Sequence, residues 1–286
     1  MGDRLAEFLS ETAEMYLDLL KKSLTRFAFP ESYRKIESRR EVRRKPITGT
    51  LYPLLKPLLS KEGVHLFVEA PFDPAARNEG KDWPANAETM VGLKRLDNIQ
   101  FCIRRVLEKN IPGDFIETGV WRGGSSIFMR AVLKAYQVRD RIVWVADSFE
   151  GLPKPDGRFA QDEGDKHWKS NAVLGISLEQ VKENFEKYGL LDEQVRFLKG
   201  WFKDTLPEAP IEKLAILRLD GDMYSSTTDA LQALYNKLSP GGYLIVDDYG
   251  STPPCRQAVD DFRAQHQITD PIQKIDWTGV YWEKSR

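Results

Sequence analysis

Cysteine, histidine and net charge are all scarce in this 286-residue sequence. Its two cysteines, Cys102 and Cys255, have neither the spacing of a zinc site nor that of a redox motif. The formal net charge is −1, which does not favour binding to nucleic acid or to an anionic membrane. No apolar run approaches the ~18 residues of a membrane span, and the first residues include acids and no apolar signal-peptide segment. We therefore expect a cytoplasmic protein that binds neither nucleic acid nor membrane.

The composition is that of an ordinary globular protein, with 41% hydrophobic and 30% charged residues. Such a chain can bury a sizeable core, and its length suits a large α/β domain with an appendage. Residues 3–27 have helical apolar spacing, and residues 46–88 are rich in proline. We predict a helical and irregular N-terminal appendage over residues 1–85, acting as a lid or in assembly, and a main domain over residues 86–286. Within the appendage, the basic stretch Arg34–Lys45 fits a solvated helix face better than a patch for RNA or lipid.

From Glu88 onward, short apolar segments alternate with segments of helical spacing. Helices are predicted over residues 89–109 and near 124–137, 177–188, 225–238 and 254–265. Strands are predicted at Asp114–Thr118, Arg141–Ala146, Val195–Lys199, Leu214–Leu219 and Tyr243–Val246. This alternation indicates a doubly wound, mostly parallel α/β sheet. At the C-terminus, the segments Ile272–Asp276 and Val280–Lys284 predict a hairpin whose last strand is antiparallel.

Four aspartates follow two of these strands, namely Asp220, Asp222, Asp247 and Asp248. The carboxyl ends of neighbouring parallel strands meet at one edge of a sheet, where α/β proteins bind ligands. Carboxylates brought together there repel each other, and a hard cation such as Mg²⁺ resolves the conflict. Three of them would bind the metal, and the fourth would accept a proton as general base. The alternative is that they are solvated loop residues or helix caps.

The first two strands also end in residues that suit a nucleoside ligand. After the first, Glu117 and Gly119 begin a glycine-containing turn without the spacing of a dinucleotide-binding loop. An acid at this position repels phosphate and suits an amine or a cation, although a plain tight turn is the alternative. After the second, Asp147 lies where such folds hold ribose hydroxyls. The aromatic residues Trp201 and Phe202 follow the third strand and could flank an adenine or belong to the core.

Four segments closely resemble the macrocin O-methyltransferase family, over about residues 85 to 284. They are ETGVWRGGS (Glu117–Ser125), DSFEGLP (Asp147–Pro153), LDGDMYSST (Leu219–Thr227) and DDYG (Asp247–Gly250). Members of this family, such as the mycinamicin and novobiocin enzymes, are metal-dependent and use S-adenosylmethionine to methylate sugar hydroxyls of antibiotics. The resemblance implies a Rossmann-like class I methyltransferase fold. It has a seven-stranded, mostly parallel sheet with an antiparallel last strand.

The resemblance also implies roles for individual residues in binding S-adenosylmethionine and Mg²⁺. The methionine end of the cofactor would contact Glu117, Gly119 and Ser125. The ribose would contact Asp147 and Ser148, the adenine would lie beside Trp201 or Phe202, and Thr89 and Met90 would close over the cofactor. The metal would be bound by Asp220, Asp247 and Asp248, with Asp222 as the general base.

Several alternatives remain open at this stage. His167, in a long polar loop after the second strand that resembles a lid, is a rival general base. The acceptor is expected to be a sugar hydroxyl of a natural product, or a polyketide or peptide hydroxyl that is free or tethered to a carrier protein. A nicotinamide-dependent oxidoreductase and a non-catalytic scaffold are less favoured. Family precedent makes a homodimer a reasonable assembly.

Overall fold

A seven-stranded sheet with helices on both faces organises the molecule. The structure is a computed structural model that describes residues 2–35, 57–59, 61 and 63–285. The strands in these residues are β1 (Tyr33–Lys35), β2 (Phe67–Glu69), β3 (Asp114–Thr118), β4 (Val143–Asp147), β5 (Val195–Lys199), β6 (Leu214–Leu219), β7 (Leu238–Val246), β8 (Gln273–Lys274) and β9 (Val280–Glu283). The large sheet has the order β5-β4-β3-β6-β7-β9-β8, and β1 and β2 form a separate antiparallel pair.

The strand directions agree with the predicted sheet. Strands β3 to β7 are mutually parallel, whereas β9 is antiparallel to both β7 and β8. The order reverses at β3, which has β4 on one side and β6 on the other. Such a reversal opens a crevice at the carboxyl ends of the strands, because the following helices pack on opposite faces of the sheet.

Besides the helical residues at 57–59 and 61, nine α-helices have both ends in the described part of the chain. They are α1 (Gly2–Leu24), α2 (Pro74–Asn78), α3 (Leu93–Glu108), α4 (Gly124–Ala135), α5 (Asn171–Leu174), α6 (Leu178–Lys187), α7 (Phe202–Thr205), α8 (Tyr224–Leu234) and α9 (Pro253–Gln265). Short 3₁₀ turns occur at Ala160–Asp162, His167–Ser170 and Tyr235–Lys237. Within these residues, no helix is both long and apolar enough to cross a membrane.

The central strands contribute residues to two separate hydrophobic cores, one on each face of the sheet. In β3, Phe115 packs with one core and Ile116 with the other. The first core lies under α1, α3, α4 and α6, and the second lies under α8 and α9. Both faces are therefore buried, which explains why these strands read as continuous apolar runs in the sequence.

The N-terminal helix α1 packs against α3 and α4. Three leucines of α1, Leu17, Leu20 and Leu24, are buried in the first core, where the helix contacts α3 and α4. Burying a leucine side chain contributes about 1.5–3 kcal/mol, so these contacts hold α1 firmly. The residues predicted as a solvated basic face lie outside the described residues from residue 36 onward, as do residues 46–56 of the proline-rich region.

Three strands, β3, β5 and β6, begin and end at the predicted residues, whereas the bounds of β4, β7, β8 and β9 differ. Strand β4 runs from Val143 to Asp147 and not from Arg141 to Ala146, and at its start the Ile142 N–H donates to the Asp114 side chain and not to the backbone of a neighbouring strand. Strand β7 begins earlier than predicted, at Leu238, where the glycines at 241 and 242 do not interrupt the strand.

Candidate active site

The crevice at the reversal point of the sheet is a pocket of about 1000 Å³. It lies at the carboxyl ends of β3, β4, β5, β6 and β7. Every residue predicted for the site lines it: Thr89, Met90, Glu117, Gly119, Ser125, Asp147, Ser148, His167, Trp201, Phe202, Asp220, Asp222, Asp247 and Asp248. The fold therefore brings together residues that are up to 159 positions apart in the chain.

Close backbone contacts bring the turns around this pocket together. Gly119, after β3, has φ +86°, and a Cβ added there would lie 1.8 Å from the carbonyl oxygen of Asp220. A side chain at this position is therefore excluded, and the turn after β3 lies against the turn after β6. At the start of α4, the Gly124 N–H donates to the Glu88 carbonyl at 2.9 Å. This contact places Thr89 and Met90 at the pocket.

Asp147 joins the ends of β3 and β4. One carboxylate oxygen accepts from the Val120 N–H and the other from the Phe149 N–H, both at 2.7 Å. Burial raises the pKa of Asp147, while these backbone donors oppose the increase. A carboxylate has about four acceptor positions, and the Ser148 hydroxyl, 3.4 Å from Oδ1, takes a third, so a position remains for a ligand hydroxyl. The side chain is held in one orientation and can still accept hydrogen bonds in the pocket.

Three carboxylates form a group with the composition of a metal site. One ligand oxygen from each of Asp220, Asp247 and Asp248 lies within 4.8 Å of the others. Burial, and then the charge of Asp247, raises the pKa of Asp220 to about 8. Burial and the neighbouring carboxylates raise the pKa of Asp248 as well, and its Oδ2 is buried without a hydrogen-bond partner. The group is thus short of positive charge, and hard oxygen donors of this kind fit Mg²⁺.

Two buried arginines form ion pairs with carboxylates of this three-aspartate group. Arg218, near the carboxyl end of β6, donates to Glu117, to Asp247 and, at 2.9 Å, to Asp220. Arg95 on α3 pairs with Asp247 and, at 2.9 Å, with Asp276. Although burial favours its neutral form, the surrounding carboxylates raise the pKa of Arg218. The two positive charges of Arg95 and Arg218 do not balance the negative charges of all the carboxylates around them, since Asp222 and Asp248 also line the pocket.

Asp222 reaches the pocket from a turn and not from a strand. The sequence would place Asp220 and Asp222 on one face only if β6 continued, and β6 ends at Leu219. Asp222 instead has φ +55°. Burial raises its pKa to about 6, the positive charge of His167 lowers it, and Asp247 and Asp165 raise it. A carboxylate with a raised pKa in a pocket is a suitable proton acceptor.

The long loop between β4 and α6, residues 148–176, covers one side of the pocket, and we call it the pocket loop. The buried Asp162 accepts from the backbone N–H groups of Tyr224 and Ser225, both at 2.9 Å. Arg158 forms two hydrogen bonds of 2.9 Å with Asp229 on α8. The loop is therefore docked on the helix that follows Asp222.

His167 lies on the same loop with its side chain 60% exposed. Its Nδ1 lies 2.9 Å from an Asp165 oxygen, and this contact raises the pKa of His167. The histidine lines the pocket, but it is far more open to solvent than the aspartates.

Comparison with known proteins identifies the family. A family model described as Macrocin-O-methyltransferase (TylF) matches residues 13–284. The chain belongs to the macrocin O-methyltransferase family. The resemblance seen in the sequence is thus confirmed, but its extent is corrected, because the match begins near the N-terminus and not at about residue 85.

Individual members of the macrocin O-methyltransferase family are also similar. The demethyldecarbamoylnovobiocin O-methyltransferase of Streptomyces niveus is 58% identical over 212 residues, which cover 73% of this chain and 80% of the relative. The 8-demethyl-8-(2,3-dimethoxy-alpha-L-rhamnosyl)-tetracenomycin-C 4'-O-methyltransferase of Streptomyces olivaceus is 51% identical over 273 residues, covering 95% and 93%. The solved structure of the O-methyltransferase NovP has a TM-score of 0.81 and 47% identity, covering 96% of this chain and 100% of that chain. The chain is an S-adenosylmethionine-dependent O-methyltransferase of the Rossmann-like class I fold.

Three polar residues of this methyltransferase site were missed in the sequence. Arg218 had a visible signal, because a charged residue inside the apolar run Leu214–Leu219 requires a buried partner. Arg95 had a weaker one, since it lies next to Leu96 on the buried face of α3. Asp162 had none, because its partners on α8 lie 62 and 63 positions away.

Proposed function

We propose that this enzyme transfers a methyl group from S-adenosylmethionine to a sugar hydroxyl of a natural product, in a reaction that depends on Mg²⁺. The observation that carries the proposal is the carboxylate group of Asp220, Asp247 and Asp248, whose oxygens lie within 4.8 Å of one another. The group lines the same pocket as Glu117 and Asp147, which suit the two ends of S-adenosylmethionine.

The cofactor side of the pocket lies at the ends of β3, β4 and β5. Glu117 faces the ammonium group of the methionine end, near Gly119 and Ser125, and its carboxylate is oriented by Arg218 and Ser126. Asp147 accepts the ribose hydroxyls, with Ser148 beside it. Trp201 and Phe202, which line the pocket after β5, border the adenine. Thr89 and Met90 close the pocket from the N-terminal side.

The acceptor side lies at the ends of β6 and β7. Asp220, Asp247 and Asp248 would hold Mg²⁺, which when bound lowers the pKa of a coordinated hydroxyl. The fit rests on three features: oxygen donors alone, excess negative charge, and the buried Asp248 Oδ2 that lacks a hydrogen-bond partner. Ion pairs with Arg95 and Arg218 hold the Asp247 side chain in place.

Asp222 is the general base in this proposal. It takes the proton from the acceptor hydroxyl as that oxygen forms a bond to the methyl carbon. The carbon–sulfur bond breaks at the same time, its electron pair remains on sulfur, and S-adenosylhomocysteine is released. Asp222 is preferred to His167 because it is only partly exposed and lies close to Asp248, whereas the histidine is mostly exposed. Positioning accounts for much of such a reaction, since the methyl group is already electrophilic.

The names of the relatives support a glycosylated acceptor. The Streptomyces olivaceus relative is named for 4'-O-methylation of a rhamnosyl tetracenomycin, and the Streptomyces niveus relative for a novobiocin precursor. The basic stretch Arg34–Lys45 would suit an acidic carrier protein, but most of it lies outside the described residues. The glycoside is therefore the acceptor class that we propose.

Residues 1–85 act in this proposal as a cap on the methyltransferase domain of residues 86–286. Two observations support the cap: α1 is buried against the first core, and Gly80 and Trp83 line the pocket.

Calorimetric titration tests the cofactor assignment first. The purified protein is titrated with S-adenosylhomocysteine and, separately, with NADH, each with and without Mg²⁺. We expect S-adenosylhomocysteine to bind and NADH not to bind. Binding of NADH alone would contradict the cofactor assignment.

An acceptor assay then follows methyl transfer from labelled S-adenosylmethionine to demethyldecarbamoylnovobiocin and to the rhamnosyl tetracenomycin. We expect turnover that stops on chelation and returns with Mg²⁺. Turnover that persists after chelation would refute the metal dependence, and transfer to neither glycoside would refute the acceptor class.

A further inference from the structure

The turn between β8 and β9, residues 275–279, is a rigid part of the pocket wall. Asp276 accepts from the backbone N–H groups of Thr278 and Gly279, at 2.9 and 2.7 Å. The Asp276 carboxylate also pairs with Arg95. A Cβ added at Gly279 would lie 3.1 Å from the Arg95 side chain, so the turn packs closely on that arginine.

The same turn is tied directly to a proposed metal ligand. The Thr278 hydroxyl donates to the Asp247 carbonyl oxygen at 3.0 Å, and the Gly250 N–H donates to the Thr278 carbonyl at 2.8 Å. Arg95 completes the connection, since it pairs with both Asp247 and Asp276. The position of residue 277 is thus set relative to the carboxylates that face the acceptor.

Residue 277 is a tryptophan that lines the pocket and is 41% exposed. Its indole N–H donates to the Glu79 carbonyl at 2.8 Å, which holds the ring in one orientation. A second tryptophan, Trp83, lies four residues after Glu79. It also lines the pocket and is 71% exposed. Large aromatic surface held open to water in a pocket is typical of a ligand-binding surface.

The position of Trp277 distinguishes it from the tryptophans near the cofactor. Trp121 and Trp201 follow β3 and β5, at the proposed methionine and adenine ends. Trp121 is covered on one side, since Arg122 lies 4.3 Å from its ring centre, and its indole N–H donates to the Val173 carbonyl. Trp277 is instead linked to Asp247, at the opposite end of the pocket, where the hydroxyl is bound.

We propose that Trp277, assisted by Trp83, binds the acceptor by stacking against the C–H face of the sugar ring that carries the methylated hydroxyl. This inference rests on the proposed function and adds the residues that recognise its substrate. A pyranose presents hydroxyls at its edge and C–H groups on its face. Contact with an aromatic ring therefore removes apolar surface from water and leaves the hydroxyl directed at the carboxylates. Trp277 is a specificity-determining residue in this arrangement and takes no part in proton transfer.

Binding of the glycoside to the protein loaded with S-adenosylhomocysteine and Mg²⁺ tests the inference without turnover. Calorimetry with demethyldecarbamoylnovobiocin, and with the rhamnosyl tetracenomycin, compares wild type with Trp277→Ala and Trp277→Phe. We expect Trp277→Ala to weaken glycoside binding about tenfold, and Trp277→Phe to retain most of it because a phenyl ring still stacks. The affinity for S-adenosylhomocysteine should stay within about twofold in both variants.

Phe29→Ala is the matched control, since Phe29 is 60% exposed and lies outside the pocket. It should bind both ligands like wild type. Unchanged glycoside binding in Trp277→Ala would overturn the inference, as would an equal loss of glycoside and S-adenosylhomocysteine binding. A wild-type protein that binds S-adenosylhomocysteine but neither glycoside would also overturn it while leaving the methyltransferase assignment intact. Failure of wild type to bind S-adenosylhomocysteine would contradict the proposed function, and this inference with it.

Discussion

Asp162 is expected to hold the pocket loop closed on α8. Its carboxylate is 3% exposed and accepts two backbone hydrogen bonds, from Tyr224 and Ser225, each of 2.9 Å. These N–H groups begin α8 and have no partner inside the helix. Asp162→Ala therefore removes both acceptors and a negative charge from the positive end of the helix.

The size of the effect follows from these contacts. A hydrogen bond to a charged group contributes about 1.5–3 kcal/mol, and water replaces part of that when the loop opens. We take about 2–3 kcal/mol for the pair, which raises the population of the open loop roughly 30-fold to 150-fold. The fold should survive, because Asp162 belongs to neither hydrophobic core.

Limited digestion with trypsin measures that population, because cleavage follows the open fraction when opening is fast. The loop offers Arg158, Lys166 and Lys169, and mass spectrometry separates these cuts from others. Asp162→Ala should be cut at these sites at least about tenfold faster than wild type, and Asp162→Asn, which keeps one acceptor oxygen, should fall between. Glu163→Ala, the same change at the exposed neighbour, is the control. Cleavage of Asp162→Ala at the wild-type rate would show that this contact does not hold the loop.

Three further substitutions test the proposed chemistry. Asp220→Ala should abolish methyl transfer while calorimetry shows S-adenosylhomocysteine affinity within a few-fold of wild type; retained activity would disprove the metal assignment. Asp222→Asn should keep cofactor binding and lower kcat by roughly 10²–10⁴, the usual contribution of a general base. Normal turnover in that variant would transfer the role to His167 or to solvent. Asp147→Ala should weaken S-adenosylhomocysteine binding, because both the ribose contact and the support of the Val120 N–H are lost, and an unchanged dissociation constant would disprove the ribose assignment.

Much of the main sheet could be predicted because its signal is local. Strands β3, β5 and β6 are bounded as predicted, since apolar residues flanked by turns report burial on both faces. The antiparallel hairpin at the C-terminus was also predicted correctly. The start of strand β4 was predicted two residues too early, because it depends on Asp114, which lies 28 positions before Ile142 and accepts from its N–H.

The site shows the same division between local and long-range information. Aspartates directly after two strands, such as Asp220 and Asp247, could be placed at one edge from strand direction alone. The left-handed turn that carries Asp222 could not, because non-glycine residues adopt this conformation uncommonly and no local motif marks it here.

The sequence by itself determined which chemical groups meet at the edge of the sheet and which family the chain resembles. This is because strand periodicity and short motifs are encoded within a few residues. The tertiary structure alone decided how those groups are held. Arg95 and Asp247 are 152 positions apart, and Trp277 and Glu79 are 198 apart. Contacts over such separations exist only once the cores have packed, since no local preference directs one side chain to the other.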